Sequence, residues 1–338
     1  MTVQDEITYF KDPQVVPMPP PDGNPTPDDK FVYIGRCHRT KRDITICYQT
    51  FGNPQDPCIL LICGLSSTCF NFPFEFCTRL VDIGLYVVRF DNRDYGLSTH
   101  MDGLPTLSEA RIIAPAWMSF GEKEPPYRIE EMALDALNLL SALGIPKAHI
   151  LGTSMGGMIA QRVAIYQPER VLSLTIVFSH CGGPHVEHPS PLNGLLLLFG
   201  KPKSESIEDV IDFKMKTLRL NSGDFPLDEN QCVQLIRVVN ERMLDYQEGA
   251  NRQLWAIRRS SSRDTALKEL CGIPTLIIHG LKDGLVPYKN GIHLGELIKG
   301  SKVVLFPGMG HSLPREILPA IVEELQLLKQ RAEIAPRA

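Results

Sequence analysis

The stretch AHILGTSMGGMIAQRVAIYQ, at positions 148–167, decides the fold of this chain. Its first four residues suit a buried strand, and the residues from Met155 onward have the pattern of a helix that ends before Pro168. Between the two elements lies Gly152-Thr153-Ser154-Met155-Gly156, a G-x-S-x-G motif. In this context the motif predicts a strained turn that projects the Ser154 hydroxyl above the edge of a sheet. A tight turn with a helix-capping serine is the other interpretation of the same residues.

Strand patterns alternate with helix patterns on both sides of this motif. The run CILLIC at 58–63 is almost wholly apolar, as expected for a strand that is buried on both faces. Further strands are predicted at 43–51, 86–90, 171–178, 275–279 and 302–306, and further helices at 75–83, 128–144 and 315–331. Strands that alternate with helices indicate the α/β class, with a mostly parallel central sheet and helices on both faces.

The segment 181–271 breaks this alternation. It contains helical patterns at 206–218, 228–244 and 250–259 but no clear buried strand. Helices inserted between two strands of a sheet would lie over the strand ends, so this segment is predicted to be a helical cap. The apolar run LLLLF at 195–199 and Trp255 suggest that the cap encloses an apolar pocket.

The remaining residues divide into a core and an N-terminal arm. The core is predicted to comprise residues 31–180 and 272–338. Residues 1–30 contain seven prolines, which exclude a helix or a central strand there, so they are predicted to be a proline-rich arm.

The composition excludes several classes of function. The chain has 338 residues and a formal net charge of −4, so it has no basic field for nucleic acid. No run of about 18 apolar residues occurs, so no membrane span is expected. The first residues lack the basic and apolar parts of a signal peptide, and the nine cysteines include no C-x-x-C pair. We therefore expect reduced thiols, a cytoplasmic location, and neither a metal site nor a cofactor.

A serine nucleophile requires a base, and the base requires a carboxylate that orients it. His311 follows the last predicted strand on a glycine-rich loop, from which an imidazole could reach over the sheet edge towards Ser154. Asp283 follows the strand at 275–279, and the chain order Ser154, Asp283, His311 is the order expected for this motif. An ordinary Asp-Gly turn is the alternative for Asp283. The sequence therefore predicts a catalytic triad.

Acyl chemistry also requires donors for the negative charge that develops on the carbonyl oxygen. The backbone N–H of Met155 is one candidate, and the N–H of Leu65, in the loop after CILLIC, is the second. The predicted substrate-binding residues are Gly64, Ser66, Trp255 and Leu285. A metal site formed by His180, His185 and His188 is a weaker possibility than a polar segment at those positions.

The chain resembles α/β-hydrolase fold enzymes, and more narrowly their aclacinomycin methylesterase-like branch. The resemblance rests on five stretches: ICYQTFGNPQDPCILLICGLSS at 46–67, VVRFDNRDYGLSTH at 87–100, ILGTSMGGMIAQRVA at 150–164, IPTLIIHGLKDGLVP at 273–287 and FPGMGHSLP at 306–314. It implies the roles given above to Ser154, Asp283, His311, Leu65 and Met155, and a buttressing role for the loop at 91–96. It also implies a serine hydrolase without a cofactor that cleaves a carboxylic ester through an acyl-enzyme. One departure is Cys63 before Gly64, where many α/β-hydrolases have histidine.

Other activities stay open at this point. The same triad serves C–C bond hydrolases and acyltransferases, and a thioesterase, an amidase or a non-catalytic binding module with the hydrolase fold are further alternatives. Dehalogenases and epoxide hydrolases of this fold are disfavoured, because their nucleophile is aspartate. The expected ligand is a small-molecule ester with an apolar part, and no oligomeric state is predicted.

Overall fold

A computed structural model describes residues 24–108, 111–112, 124–194, 200–243 and 247–334. Most of the predicted arm and the apolar run at 195–199 lie outside these residues. The central element is a sheet of eight strands in the order β1-β2-β4-β3-β5-β6-β7-β8. The strands are β1 Lys30–Arg36, β2 Asp43–Phe51, β3 Cys58–Ile62, β4 Tyr86–Phe90, β5 Ala148–Thr153, β6 Val171–Val177, β7 Thr275–Gly280 and β8 Lys302–Phe306. β2 pairs antiparallel with β1 and with β4, and all other neighbours are parallel.

Helices cover both faces of the sheet. They are α1 Phe74–Asp82, α2 Ile129–Ala142, α3 Met155–Tyr166, α4 Ile207–Asn221, α5 Glu229–Arg242, α6 Gln247–Arg258, α7 Asp264–Glu269, α8 Lys289–Leu297 and α9 Leu318–Ile334. Successive side chains of a strand point to opposite faces. Accordingly, Leu60 of β3 packs in the layer of α2, α3 and α8, whereas Leu61 packs in the layer of α1 and α9. The predicted α/β architecture is confirmed.

The segment between β6 and β7, called the insertion below, contains α4, α5, α6 and α7. No strand of the sheet lies among its described residues. The predicted helices at 206–218, 228–244 and 250–259 correspond to α4, α5 and α6, and α7 was not predicted. The exact division of the chain into arm, core and cap stays a prediction.

α8 was missed for a physical reason. Its sequence KNGIHLGEL contains two glycines, which disfavour helices. The packing requires them, because a Cβ at Gly291 would lie 2.5 Å from Nδ1 of His279 and one at Gly295 would lie 2.4 Å from a methyl carbon of Val303. Close approach of α8 to β7 and β8 therefore outweighs the helix propensity of its residues.

Two further observations concern membrane spans and cysteines in the described residues. No helix of the described ranges is long and apolar enough to cross a bilayer. All nine cysteines lie in the described part of the chain, where none is paired in a disulfide.

The parallel strands bring the candidate site together. β3, β5, β6, β7 and β8 run in the same direction, so their carboxyl ends meet at one edge of the sheet. Ligand sites of open α/β sheets lie at this edge. The loops that carry Gly64, Ser154, Asp283 and His311 all start there.

Candidate active site

Ser154 occupies a strained turn between β5 and α3. Its φ is 54° and its ψ is −119°, a conformation that non-glycine residues rarely adopt. The turn is held by the Ser154 N–H, which donates to the Val177 carbonyl at 3.0 Å, and by the Gly157 N–H, which donates to the Ser154 carbonyl at 2.9 Å. The Ser154 side chain makes no capping hydrogen bond to α3, so it does not act as an ordinary helix cap. Its Oγ instead lies beside the loop after β3, 3.8 Å from where a Cβ at Gly64 would be.

Two glycines allow this turn to form. A Cβ at Gly156 would lie 2.0 Å from the Ile62 carbonyl oxygen, and a Cβ at Gly152 would lie 2.0 Å from the Gly156 carbonyl oxygen. Both partners are backbone atoms, which cannot move aside as a flexible side chain can. The G-x-S-x-G spacing is therefore a steric requirement of packing α3 against the ends of β3 and β5.

Asp283 and His311 form a buried pair. His311 Nδ1 lies 2.7 Å from Asp283 Oδ2, and the two side chains are 10% and 0% exposed. Asp283 Oδ1 accepts the backbone N–H groups of Leu285 at 2.9 Å and of Val286 at 2.8 Å. Burial alone would raise the pKa of Asp283, but His311 and His279 outweigh it and lower that pKa to about 2. The carboxylate is therefore charged at neutral pH and holds the His311 ring by Nδ1.

His279 contributes to this pair, which the sequence analysis did not predict. Its Nε2 lies 2.7 Å from the Val286 carbonyl oxygen and 3.5 Å from Asp283 Oδ2. Both the ring and the carboxylate are fully buried. His279 thus fixes the turn that presents Asp283, as a structural residue at the end of β7.

The end of β6 links His311 to Ser154. The Phe178 ring packs against the His311 ring with centroids 4.5 Å apart. The residue before it, Val177, accepts the Ser154 N–H. The two predicted catalytic side chains therefore flank the same strand end.

The loop of His311 is bonded to the insertion. The His311 N–H donates to the Asn221 carbonyl at 2.7 Å, and the Asp224 N–H donates to the Gly308 carbonyl at 2.8 Å. A Cβ at Gly310 would lie 2.2 Å from the Asn221 carbonyl oxygen. The glycines of FPGMGH therefore let the loop pass close to the end of α4, a contact that the sequence did not reveal.

The loop after β3 lies beside Ser154. A Cβ at Gly64 would be 3.2 Å from Ser154 Cβ, so this residue borders the nucleophile position. Neither the Leu65 nor the Met155 N–H donates to an acceptor in the part of the chain that the structure describes. The next amide is different: the Ser66 N–H donates to Oε1 of Gln253, on α6, at 3.1 Å. Ser66 has a φ of 51°, so this loop is also strained.

Cys63 lies under this loop as a packed thiol. It is fully buried, and its Sγ donates to the Ser67 carbonyl at 3.1 Å. Burial, together with the charge of Asp91, raises the pKa of Cys63 to about 12. The Cys63 carbonyl accepts from Asn92 Nδ2 at 2.9 Å. The thiol therefore stays neutral, and Asn92 fixes the end of β3.

The loop at 91–96 buttresses the site through buried ion pairs. Asp91 pairs with Arg242 of α5 at 2.8 Å, and Asp94 pairs with Arg252 of α6 at 2.7 Å. All four side chains are at most 1% exposed. Arg242 also pairs with Asp29 at 2.8 Å. The structural role expected for this loop thus consists of holding the insertion to the core.

The remaining predicted substrate-binding residues occupy mixed positions. Trp255 is 1% exposed and lies inside the insertion. Leu285 is half-buried and uses its backbone to bind Asp283. Ser66 is exposed in the strained loop. Contact of these residues and of Gly64 with a substrate stays a prediction.

Similar proteins include enzymes of two reaction types. Rhodomycin D methylesterase DauP from Streptomyces sp. (strain C5) is 29% identical over 296 residues, which cover 81% of this chain and 91% of that protein. The 2-hydroxymuconate semialdehyde hydrolase of Pseudomonas sp. (strain CF600) is 29% identical over 214 residues, 62% of this chain and 72% of that protein. The methylesterase match confirms the resemblance predicted from the five stretches.

Solved structures share the fold. The 2-hydroxy-6-oxo-6-phenylhexa-2,4-dienoate hydrolase of Rhodococcus sp. strain RHA1 has a TM-score of 0.67 at 19% identity and covers 89% of this chain and 98% of its own. The model of the α/β hydrolase fold family matches residues 59–314, which is more than half of the chain. With its eight-stranded sheet, helices on both faces and strained serine turn, the chain belongs to the α/β hydrolase fold family.

Proposed function

We propose that this protein is a serine hydrolase that cleaves a carboxylic ester, with Ser154 as nucleophile, His311 as general base and Asp283 as the carboxylate that orients His311. One observation carries the proposal. Ser154 lies in a strained turn, and its hydroxyl makes no capping hydrogen bond to α3. At the same sheet edge lies His311, whose Nδ1 is already bonded to the buried carboxylate of Asp283. Such an arrangement leaves the opposite ring nitrogen, Nε2, to accept a proton.

The reaction proceeds in two halves on these residues. His311 Nε2 takes the hydroxyl proton while Ser154 Oγ attacks the ester carbonyl carbon. The carbonyl oxygen becomes negative and accepts the N–H groups of Leu65 and Met155. The C–O bond then breaks, the alcohol leaves with the proton from His311, and an acyl-enzyme remains. Water, deprotonated by the same ring, attacks this ester and frees Ser154.

The insertion is proposed to act as the cap that selects the substrate. It contacts the His311 loop through Asn221 and the Ser66 loop through Gln253, which supports a position over the strand ends. A small ester with an apolar part is the proposed ligand. A cytoplasmic location is proposed as well, supported by nine unpaired cysteines of which seven are buried.

Hydrolysis of a C–C bond is the second candidate, favoured by the match to the semialdehyde hydrolase. The same Ser154 and His311 would serve it, with a ketone carbonyl in place of the ester. The methylesterase match covers more of both proteins, so ester cleavage is placed first. No observation favours acyl transfer, thioester or amide cleavage, or a binding module.

Methyl and p-nitrophenyl esters of increasing acyl length test the proposal. Turnover by the intact protein should fall at least about a thousandfold in Ser154→Ala. Ser204→Ala, which removes an exposed serine of the insertion, is the matched control and should keep full activity. A fluorophosphonate should label the intact protein at Ser154.

The outcomes separate the two candidates. C–C hydrolysis would become the first candidate if the probe labelled Ser154, no ester were hydrolysed, and an unsaturated diketo acid were cleaved at a C–C bond. Turnover that survives in Ser154→Ala would refute the triad for either reaction.

A further inference from the structure

A second cluster of reactive side chains lies outside the proposed triad. Cys181 follows β6 at the start of the insertion, Asp264 begins α7 at its end, and His293 lies on α8. One possible ligand atom from each residue lies within 4.8 Å of the other two. These residues are far apart in the chain, so no spacing motif could predict them.

Two polar atoms of this cluster lack a hydrogen-bond partner, although the Asp264 carboxylate also interacts with the Cys181 thiol and the His293 ring. Asp264 Oδ1 and His293 Nε2 are both inaccessible to water, and neither has a hydrogen-bond partner among the described residues. A buried polar atom without a partner destabilises the folded protein. A cation between the two residues would give His293 Nε2 a partner and balance the charge of the Asp264 carboxylate.

The His293 ring is oriented as a metal ligand would be. Its Nε2 is 3.7 Å from Asp264 Oδ2, while its Nδ1 is 3.6 Å from the Glu296 carboxylate. Metal-binding histidines usually present the second nitrogen to a carboxylate, which fixes the tautomer. The His185 ring lies beside that of His293, with centroids 5.4 Å apart, but His185 is not among the residues whose ligand atoms converge.

The ligand chemistry selects the metal. Thiolate, imidazole and carboxylate together suit Zn²⁺, whereas Mg²⁺ and Ca²⁺ require oxygen ligands and iron–sulfur clusters require several thiolates. We propose that Cys181, Asp264 and His293 bind one Zn²⁺ ion. Binding displaces the thiol proton of Cys181 to solvent, and the metal forms bonds to Sγ, a carboxylate oxygen and Nε2.

The position of the site indicates a structural role. The Cys181 carbonyl already accepts the Arg263 N–H at 3.0 Å, so the two ends of the insertion meet here. A metal ion at this point would join both ends to α8. The site uses no residue of the proposed triad, so it does not depend on the proposed function.

Zinc titration of untagged, chelator-treated protein tests the site. We expect one equivalent to bind and the melting temperature to rise by about 4 °C at a hundredfold excess over the Kd. Co²⁺ in place of Zn²⁺ should give the absorption of a tetrahedral ion with a thiolate ligand.

Variants identify the ligands. His293→Gln changes a partly exposed residue and should fold, so loss of both signals in it supports the site, as does loss of the thiolate absorption in Cys181→Ala. Cys271→Ser and His188→Gln remove an exposed thiol and an exposed imidazole elsewhere, and both should bind like the intact protein. An unchanged melting shift in His293→Gln, or no shift in the intact protein, would overturn the proposal. Because these readouts need no substrate, they are independent of ester turnover.

Discussion

Gln253 connects the insertion to the loop that carries the proposed oxyanion donor. Its side chain is fully buried and uses both ends: Oε1 accepts the Ser66 N–H at 3.1 Å, and Nε2 donates to the Arg93 carbonyl at 2.9 Å. The Ser66 backbone is strained, with a φ of 51°, and needs such a restraint. We therefore expect Gln253 to position the Leu65 amide without touching the substrate.

Replacement of Gln253 should slow the reaction rather than weaken binding. In Gln253→Ala the Ser66 amide loses its acceptor, and a loss of about 1.4 kcal/mol of transition-state stabilisation would lower kcat about tenfold with little change in KM. Steady-state kinetics on the best ester checks this. Gln247→Ala removes an exposed glutamine from the same helix and should leave kcat unchanged. A variant that only melts earlier, with normal kcat, would contradict a positioning role.

The catalytic candidates and Gln253 differ in how far sequence can reveal them. Ser154 lies in a local motif, and His311 and Asp283 each follow a strand that the hydrophobic pattern predicts, so the chain order is enough to select them. Gln253 acts on a residue 187 positions away. Its role depends on how α6 docks on the core, which no local pattern specifies.

Helices α5 and α6 are attached to the core by buried charge rather than by apolar packing alone. Arg252 Nε and Nη2 contact the two carboxylate oxygens of Asp94 at 2.7 and 3.1 Å, and Tyr127 donates to the same carboxylate at 2.8 Å. A buried charged side chain that loses its partner is destabilising, because its charge has been removed from water and no opposite charge replaces the lost hydration.

Breaking this pair should destabilise the protein strongly. Asp94→Asn removes the buried partner of the Arg252 charge and leaves it only the exposed Glu248 carboxylate at 3.3 Å, so the free energy of unfolding should fall by about 3–5 kcal/mol in urea titrations. Adding Arg252→Met should recover part of the loss, since the double variant has no buried charge at this position. Glu229→Gln breaks an exposed pair with Arg219 in the same insertion and should have little effect. Equal losses for the buried and the exposed variants would argue against this account.

At the scale of elements, the hydrophobic pattern predicted the seven strands from β2 to β8. It gave no bounds for β1. The parallel strands are short apolar runs, a strong signal in a sheet that is buried on both faces. α8 was not predicted, because its two glycines disfavour a helix when the sequence is considered alone, although tertiary contacts require them.

The whole molecule contains a buried imidazole in the middle of its sheet. His149 of β5 is 6% exposed, and its Nδ1 lies 2.8 Å from Ser173 Oγ. Burial, aided by the positive charge of Lys329, lowers the pKa of His149 from 6.5 to about 4. Below pH 6.5 the unfolded chain therefore takes up a proton that the folded chain does not, and stability is lost until the pH reaches the folded value.

This linkage predicts sensitivity to mild acid. At pH 5 the free energy of unfolding should be about 2 kcal/mol lower than at neutral pH through His149 alone. In His149→Asn the decrease between pH 7 and pH 5 should shrink by that amount, whereas His188→Asn, an exposed histidine, should retain it. Urea titrations at the two pH values give the comparison, and an identical pH dependence in His149→Asn would exclude this origin. Asp283 affects stability only at lower pH. Its pKa in the folded protein is lowered to about 2, so the stability that its charged form contributes is lost only as the pH falls below about 4.

The hydrogen bonds between the insertion and the His311 loop limit which insertions can be exchanged between members of this family. Asn221 and Asp224 exchange backbone hydrogen bonds with that loop, while Gln253 holds the Ser66 loop. An insertion transplanted from another member of the family to change substrate preference would bring different atoms to both loops. Such a chimera would alter turnover together with selectivity, unless the graft kept these three contacts and exchanged only the surfaces between them.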